Sequence, residues 1–531
     1  MSEPLSADHL RSRAIRQSLI VLVCAFFAIL PLRVFGPALV DDAYITFRYA
    51  ENLAAGKGFV FNEADGPILG TSTPLFTLLL AGARRLGFSC PAMALWLSVL
   101  GAFMALFLGN LIFQNISLSN KKESLPPFGA ILWIPVLAFL PQWVMVQISG
   151  METMLYTGFC IGALWATLDR RYWLAGILAG LATLTRYDGW ALSLLIFAWI
   201  GGEMLLDKDR RQEWKRALLA PGCMVLLQLP WILYALITFG SYAPHSVAAK
   251  QVIHARGFDE NALTILQYFF GTLSDMPGVH LHRWLLVFFL AGLVFMILRK
   301  SRGLLLLLWM GGMLFGFAIS GIMLFRWYLA PALAVFGWIS AYGIWGVCEL
   351  LAKKIGAADK QSKTTASYQA TFAAIIIIGF TISHGLYIFR GADSWPKALV
   401  ANELSYLSVA QWVRQNGQPG QNILTGEVGA LSWGLLEYRI LDSSGINTDS
   451  IYQYRKADME SYTGTHSDDY PENGTQKWVI DTLENYQPEW IISIPHFLHL
   501  KELQRSGRFP YVQVHQDQVY PGQPVPVFHR R

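Results

Sequence analysis

The sequence predicts a polytopic α-helical membrane protein of about eleven spans, followed from residue 390 by a water-soluble α/β domain. Three observations predict it. Apolar residues come in unbroken blocks, basic residues cluster in alternate connections, and the composition turns polar near the end. Just over half of the 531 residues are hydrophobic and only 15% are charged, against about 25% in a soluble domain.

The blocks come first. Leu19–Leu30, Gly129–Leu140, Leu304–Ile319 and Ala373–Phe380 carry no charge. Spans of about 20 residues cross a bilayer core at 1.5 Å per helical residue. They are expected near 17–39, 92–114, 127–147, 151–168, 172–185, 188–205, 217–239, 283–298, 303–321, 327–348 and 371–389. The first block follows Arg11, Arg13 and Arg16 and lacks a small-residue cleavage site. It reads as a retained helix, not a signal peptide.

The connections carry the orientation. Arg11/Arg13/Arg16, Lys121/Lys122, Arg170/Arg171, the run Lys208–Arg216, Arg299/Lys300/Arg302 and Lys353/Lys354/Lys360/Lys363 fall on one side. Lys and Arg are retained in the cytoplasm, so this side and the N-terminus are expected inside, and the tail outside. Two outer loops are long, 40–91 and 240–282. Within the first, DDAYITFRYAENLAAGKGFVFN and TSTPLFTLLLAGARRLG read as juxtamembrane helices.

In the tail, NILTG, RILDSSG and WIISI read as strands, and Leu404–Asn416 and Gln476–Tyr486 as helices. That alternation predicts a small α/β domain. All five cysteines precede it, so it needs no disulfide framework. No basic, aromatic-interleaved run points to nucleic acid. Phosphate-loop, HExxH, CxxC and GxSxG patterns are absent. Gly150, Gly176 and Gly180 read as helix-packing residues, and Asn473-Gly474-Thr475 fits an N-glycosylation sequon.

The chemistry concentrates at outer helix ends. Asp41-Asp42 is expected at the mouth of the first span, followed by Arg48. Acids flank many spans, but two adjacent carboxylates are also a candidate general base or metal ligand. Glu152 in SGMETMLY, Arg186 and Asp188 in LATLTRYDGW, and Arg326 in LFRWYLAP interrupt apolar stretches. A central charge costs about 2.5–3.5 kcal/mol on insertion scales, so such residues read either as separate interfacial anchors beside Tyr and Trp or, together with Asp41-Asp42, as one site on the outer face. His245 and Lys250 lie in SYAPHSVAAKQ on the same side.

At DDAYITFRYAENLAAGKGFVFN the sequence resembles the GT-C class of membrane glycosyltransferases, and within it the bacterial branch with the mycobacterial terminal arabinofuranosyltransferases. Further matches follow in order: TSTPLFTLLL, SGMETMLY, AGLATLTRYDGW, YAPHSVAAK, FRWYLAP and, in the tail, GEVGALSWGLLEYRILDSSGIN. The resemblance implies a GT-C catalytic module over 1–389, with the acidic pair in outer loop 40–91, and an extracytoplasmic domain over 390–531. It implies transfer of a sugar, such as arabinofuranose, from a polyprenyl-phosphate donor to a glycan, lipid or protein acceptor outside a bacterial inner membrane. Asp41 or Asp42 would be the base and Glu152 a further catalytic carboxylate. Arg326, Lys250 and Arg186 would hold the donor phosphate, with Arg48, Asp188, His245 and Tyr328 lining the cavity. Asp42 is also the candidate ligand for a divalent cation (Mg, Mn or Ca). A transporter or flippase for a lipid-linked sugar would use the same charges without chemistry. A break in a helix near the midplane would favour it. A catalytically silent assembly protein is the third alternative.

Overall fold

The computed structural model describes residues 7–118, 133–253, 255–270, 282–299, 301–355, 363–390, 395–461, 477–495, 498, 504, 509–519 and 521–531. Lys121, Lys122 and the Asn473 sequon lie outside them.

Among the described residues, six helices are long and apolar enough to cross a membrane, and four shorter apolar helices accompany them. They fall on ten of the expected spans. The central helix, Ala330–Ile355, is buried nearly throughout. It packs against Cys90–Leu118, Thr153–Leu168, His282–Leu298 and Lys363–Arg390. Small residues allow this approach. A Cβ on Gly343 would collide with the Phe288 carbonyl, and one on Gly101 with the Met154 carbonyl. Gly176 plays the same part against Ala220, whereas Gly150 is a turn residue with φ +75°.

Two expectations change. The first helix stops at Phe35, not at 39. Gly36 adopts φ +69° and its N–H returns to the Leu32 carbonyl, a left-handed cap with Pro37 beyond it. Asp41-Asp42 therefore opens the next helix, Asp41–Ala54, and does not close the first. Over the described part of the third expected span the chain makes two short helices, Trp133–Ala138 and Pro141–Ile148. Pro141 has no N–H to continue the first, but it fits the first turn of the second.

The outer loop forms helices Asp41–Ala54 and Pro74–Arg85, as its periodicity predicts. In the tail, β1 (Asn422–Thr425), β2 (Arg439–Asp442), β3 (Trp490–Ile492), β4 (Tyr511–Asp517) and β5 (Val525–Arg530) form one sheet in the order β2-β1-β3-β5-β4. The first three are parallel and the last two antiparallel. Strand alternation gives the sheet two apolar faces. Leu424, Leu441, Ile491 and Phe528 pack on the tail's own residues, including Ile451, Trp478 and Val479. Ile423, Ile440, Trp490 and Val527 join a core shared with Tyr44, Phe47, Tyr49 and Phe61 of the outer loop.

Candidate active site

Asp42, in the first turn of Asp41–Ala54, faces a small cavity of about 50 Å³. Ile45 and Thr46, one turn further on, line it too, as do Gly70–Thr73, Glu152, Arg186, Ser246, Lys250, Trp327, Tyr328 and Ile446. Thr71 and Thr73 hydroxyls are 2.9 Å apart, and Thr46 lies 3.3 Å from Thr71.

The charges form a ladder. The Lys250 ammonium sits 3.4 Å from the Asp42 carboxylate and donates to the Tyr328 hydroxyl at 3.3 Å. Burial opposes its charge, but Asp42 and then Tyr328 outweigh that and raise its pKa. Arg186 stacks over the Tyr328 ring at 4.6 Å. Its guanidinium donates to Glu152 at 2.7 Å and to Asp188 at 3.0 Å. Arg186 ends the helix Tyr172–Thr185 in extended backbone, which lets its side chain reach both acids. Glu152 precedes Thr153–Leu168 and is 2% exposed, so the ion pair is nearly water-free. Such a pair holds only while both members stay.

Asp41 points elsewhere. Its carboxylate accepts the backbone N–H groups of Gly429 (2.9 Å) and Ala430 (2.7 Å), and its own N–H donates to Glu403 at 3.1 Å. Both oxygens are thus engaged by the tail, which leaves Asp42 as the member of the acidic pair on the cavity. Glu403 and Glu427, which the sequence did not single out, lie close by. Burial first, and then the Asp41 carboxylate, push the Glu403 carboxyl up to about 7. The same causes push Glu427 higher.

Arg48 does not reach the cavity either. It is 2% exposed and donates to the carbonyls of Phe61, Ser432, Leu435 and Tyr438 and to Asn62 Oδ1. It is a clamp between outer loop and tail. His245 lies at the rim, bonded to the Ile446 carbonyl (3.1 Å) and to Asp449 (3.2 Å). Arg326 lines a second, larger cavity of about 610 Å³ with Arg256, Glu260, Tyr268, Leu324 and Phe325. Trp327 lines both cavities, and a third of about 150 Å³ shares Arg186, Lys250 and Tyr328 with the first and Met323 and Leu324 with the second. The structure thus brings together Asp42, Glu152, Arg186, Asp188, Lys250 and Tyr328 and sets Arg326 in the neighbouring cavity.

Among the described residues, no three His, Cys, Asp or Glu side chains converge to hold a metal ion. Asp42 meets a lysine where a cation ligand was expected.

Comparison with known proteins places this architecture. Two structures of ArnT from Cupriavidus metallidurans, one bound to undecaprenyl phosphate and one in the apo state, share its fold. Their TM-scores are 0.60 and 0.56 at 14% identity, over 96% of this chain and 97% of theirs. The chain has the GT-C fold, as its sequence resemblance implies. It is also 28% identical over 231 residues to the terminal beta-(1->2)-arabinofuranosyltransferase of Mycobacterium tuberculosis (strain ATCC 25618 / H37Rv). That match takes in 40% of this chain, which spans about a third (35%) of the length of the curated relative. Residues 397–524 match a family described as Domain of unknown function (DUF8728).

Proposed function

We propose that the protein is a membrane glycosyltransferase that moves a sugar, a pentofuranose such as arabinofuranose, from polyprenyl phosphate to an extracytoplasmic acceptor. One observation carries the reading: Asp42 and two cations, Lys250 and Arg186, share one cavity at one end of the bundle. Asp42 takes the proton of the acceptor hydroxyl as its oxygen bonds to the anomeric carbon. The bond from that carbon to the phosphate oxygen breaks, and polyprenyl phosphate leaves with one more negative charge. Lys250 and Arg186 hold that charge as it develops, so a protonated acid at the leaving group is unnecessary. The apolar walls of the larger cavity, with Met145, Val146, Leu324 and Leu329, suit the polyprenyl chain, and Arg326 its polar end.

Orientation has independent support. Thr153–Leu168 runs from the site to Leu168, whose carbonyl accepts Arg302, itself paired with Glu203 beside Arg210. These basic connections therefore lie at the end opposite the cavity, which by the retention of Lys and Arg inside supports a cytoplasmic placement of that end.

The break at Leu140-Pro141 is the feature that favours a transporter. It lies among Phe27, Leu30, Phe35, Phe139 and Val144, an apolar cluster that offers a phosphate no partner. The deciding experiment uses the full chain in vesicles with synthetic prenyl-phosphoryl arabinofuranose. Release of prenyl phosphate, abolished in Asp42→Asn, supports the enzyme. Movement of intact donor between leaflets without release overturns it.

A further inference from the structure

Resting on the reading that Asp42 is the base and Lys250 holds the donor phosphate, we propose that the C-terminal domain is the positioning element for both. Gly429 sets Asp42 through Asp41, and the edge Ile446–Asp449 sets Lys250 through His245.

The first arm rests on close approach. Asp41 is fixed at three points, two backbone donors and one carboxylate acceptor, all from the tail. A Cβ on Gly429 would overlap the Asp41 carbonyl oxygen and lie 2.8 Å from its carboxylate carbon. Only glycine lets the two backbones meet this closely. Asp41 and Asp42 share one helical turn, so moving the first carries the second away from Lys250.

The second arm rests on a helix with little packing of its own. His245–Ile253 has nine residues, and its buried side chains are Ser246 and Ala249. Its start is tied down instead. The His245 N–H donates to Leu69 at 2.9 Å, the ring bonds Ile446 and Asp449, and it meets the Tyr452 ring edge-on at 4.8 Å. The tail loop that makes these bonds is stiff. Asp442 accepts the N–H groups of Ser444 (2.8 Å) and Asn447 (3.0 Å), and the Tyr49 hydroxyl donates to Asn447 at 3.2 Å. The same loop puts Ile446 on the cavity wall. Lys250 lies five residues beyond His245, so its ammonium inherits the placement.

The test is binding of undecaprenyl phosphate to the full chain in detergent, with thermal melting beside it. Asp42→Asn frees Lys250 from its carboxylate and tightens binding about threefold. Gly429→Ala, which displaces Asp42, tightens it in the same direction, whereas mere loosening of the tail would weaken it. Ala430→Pro removes one Asp41 donor without the overlap and repeats the effect if Gly429→Ala fails to fold. His245→Ala weakens binding about tenfold, and His245→Asn, which keeps an N–H for the Ile446 carbonyl, restores most of it. Affinities within about twofold of wild type in folded Gly429→Ala or Ala430→Pro and in His245→Ala would overturn the inference. Wild-type affinity in Lys250→Ala would overturn the phosphate reading instead, so the two failures are distinguishable.

Discussion

Asp42 and Lys250 face one another across the cavity at 3.4 Å, and the Tyr328 hydroxyl accepts from the same ammonium at 3.3 Å. On the proposed mechanism, the base is thus held beside the cation that receives the leaving phosphate. Asp42→Asn keeps the shape and removes the base, and should lower transfer by about 100- to 10,000-fold with the melting temperature unchanged. Asp41→Asn should do the reverse. It weakens charge-assisted bonds to the tail, costs about 1.5–3 kcal/mol of stability, and reduces transfer only through docking. Melting curves and initial rates on both variants check the division.

Arg186 bridges Glu152 and Asp188 with different nitrogens. Lysine cannot reproduce that fork. Arg186→Lys should lose most undecaprenyl phosphate binding, and Arg186→Ala should strand a buried carboxylate at a cost of about 3–5 kcal/mol. Arg186→Ala combined with Glu152→Gln should recover stability but not binding, which calorimetry on the double variant reads directly.

The acidic interface is pH-sensitive. Burial and neighbouring carboxylates hold Glu427 near 9 and Glu403 near 7, above the ordinary value of 4.5. Over that range the folded chain binds more protons than the unfolded one, so stability is full at low pH and is lost as pH rises through 7 to 9. Glu427→Gln should flatten the alkaline part of the curve. Thermal melts from pH 5.5 to 9.5 on both proteins test it.

Reporter fusions after Arg216 and Arg302 should read as cytoplasmic and a fusion at the C-terminus as extracytoplasmic, given the clustered basic connections. A cytoplasmic C-terminal signal would place the cavity on the wrong side for an extracytoplasmic acceptor.

Much of this was legible in the sequence because the bilayer imposes long apolar runs and makes each interrupting charge conspicuous. Glu152, Arg186 and Asp188 stood out for that reason and share one site with Lys250, which the family resemblance had pointed to. Four features were not legible. The order of roles within Asp41-Asp42 depends on where Gly429 and Ala430 arrive, nearly 390 residues later, and no local pattern encodes that. Arg48 has the same polar signature as a cavity residue, and only its carbonyl partners reveal a clamp. Arg326 and Lys250 are both basic and fall on the same expected side, yet they line different cavities. β4 and β5 escaped notice because they pair at the edge of the sheet with mixed polar and apolar residues.

The Arg48 clamp has a consequence for biosynthesis. Its carbonyl partners in the tail lie 384 to 390 residues downstream. At about 5–20 residues per second, the guanidinium waits roughly 20 to 80 s after translation before they exist. During that interval outer loop 40–91 cannot close, and Asp42 has no fixed address. On the proposed function, the site is therefore incomplete until the segment that carries Ser432, Leu435 and Tyr438 has been made.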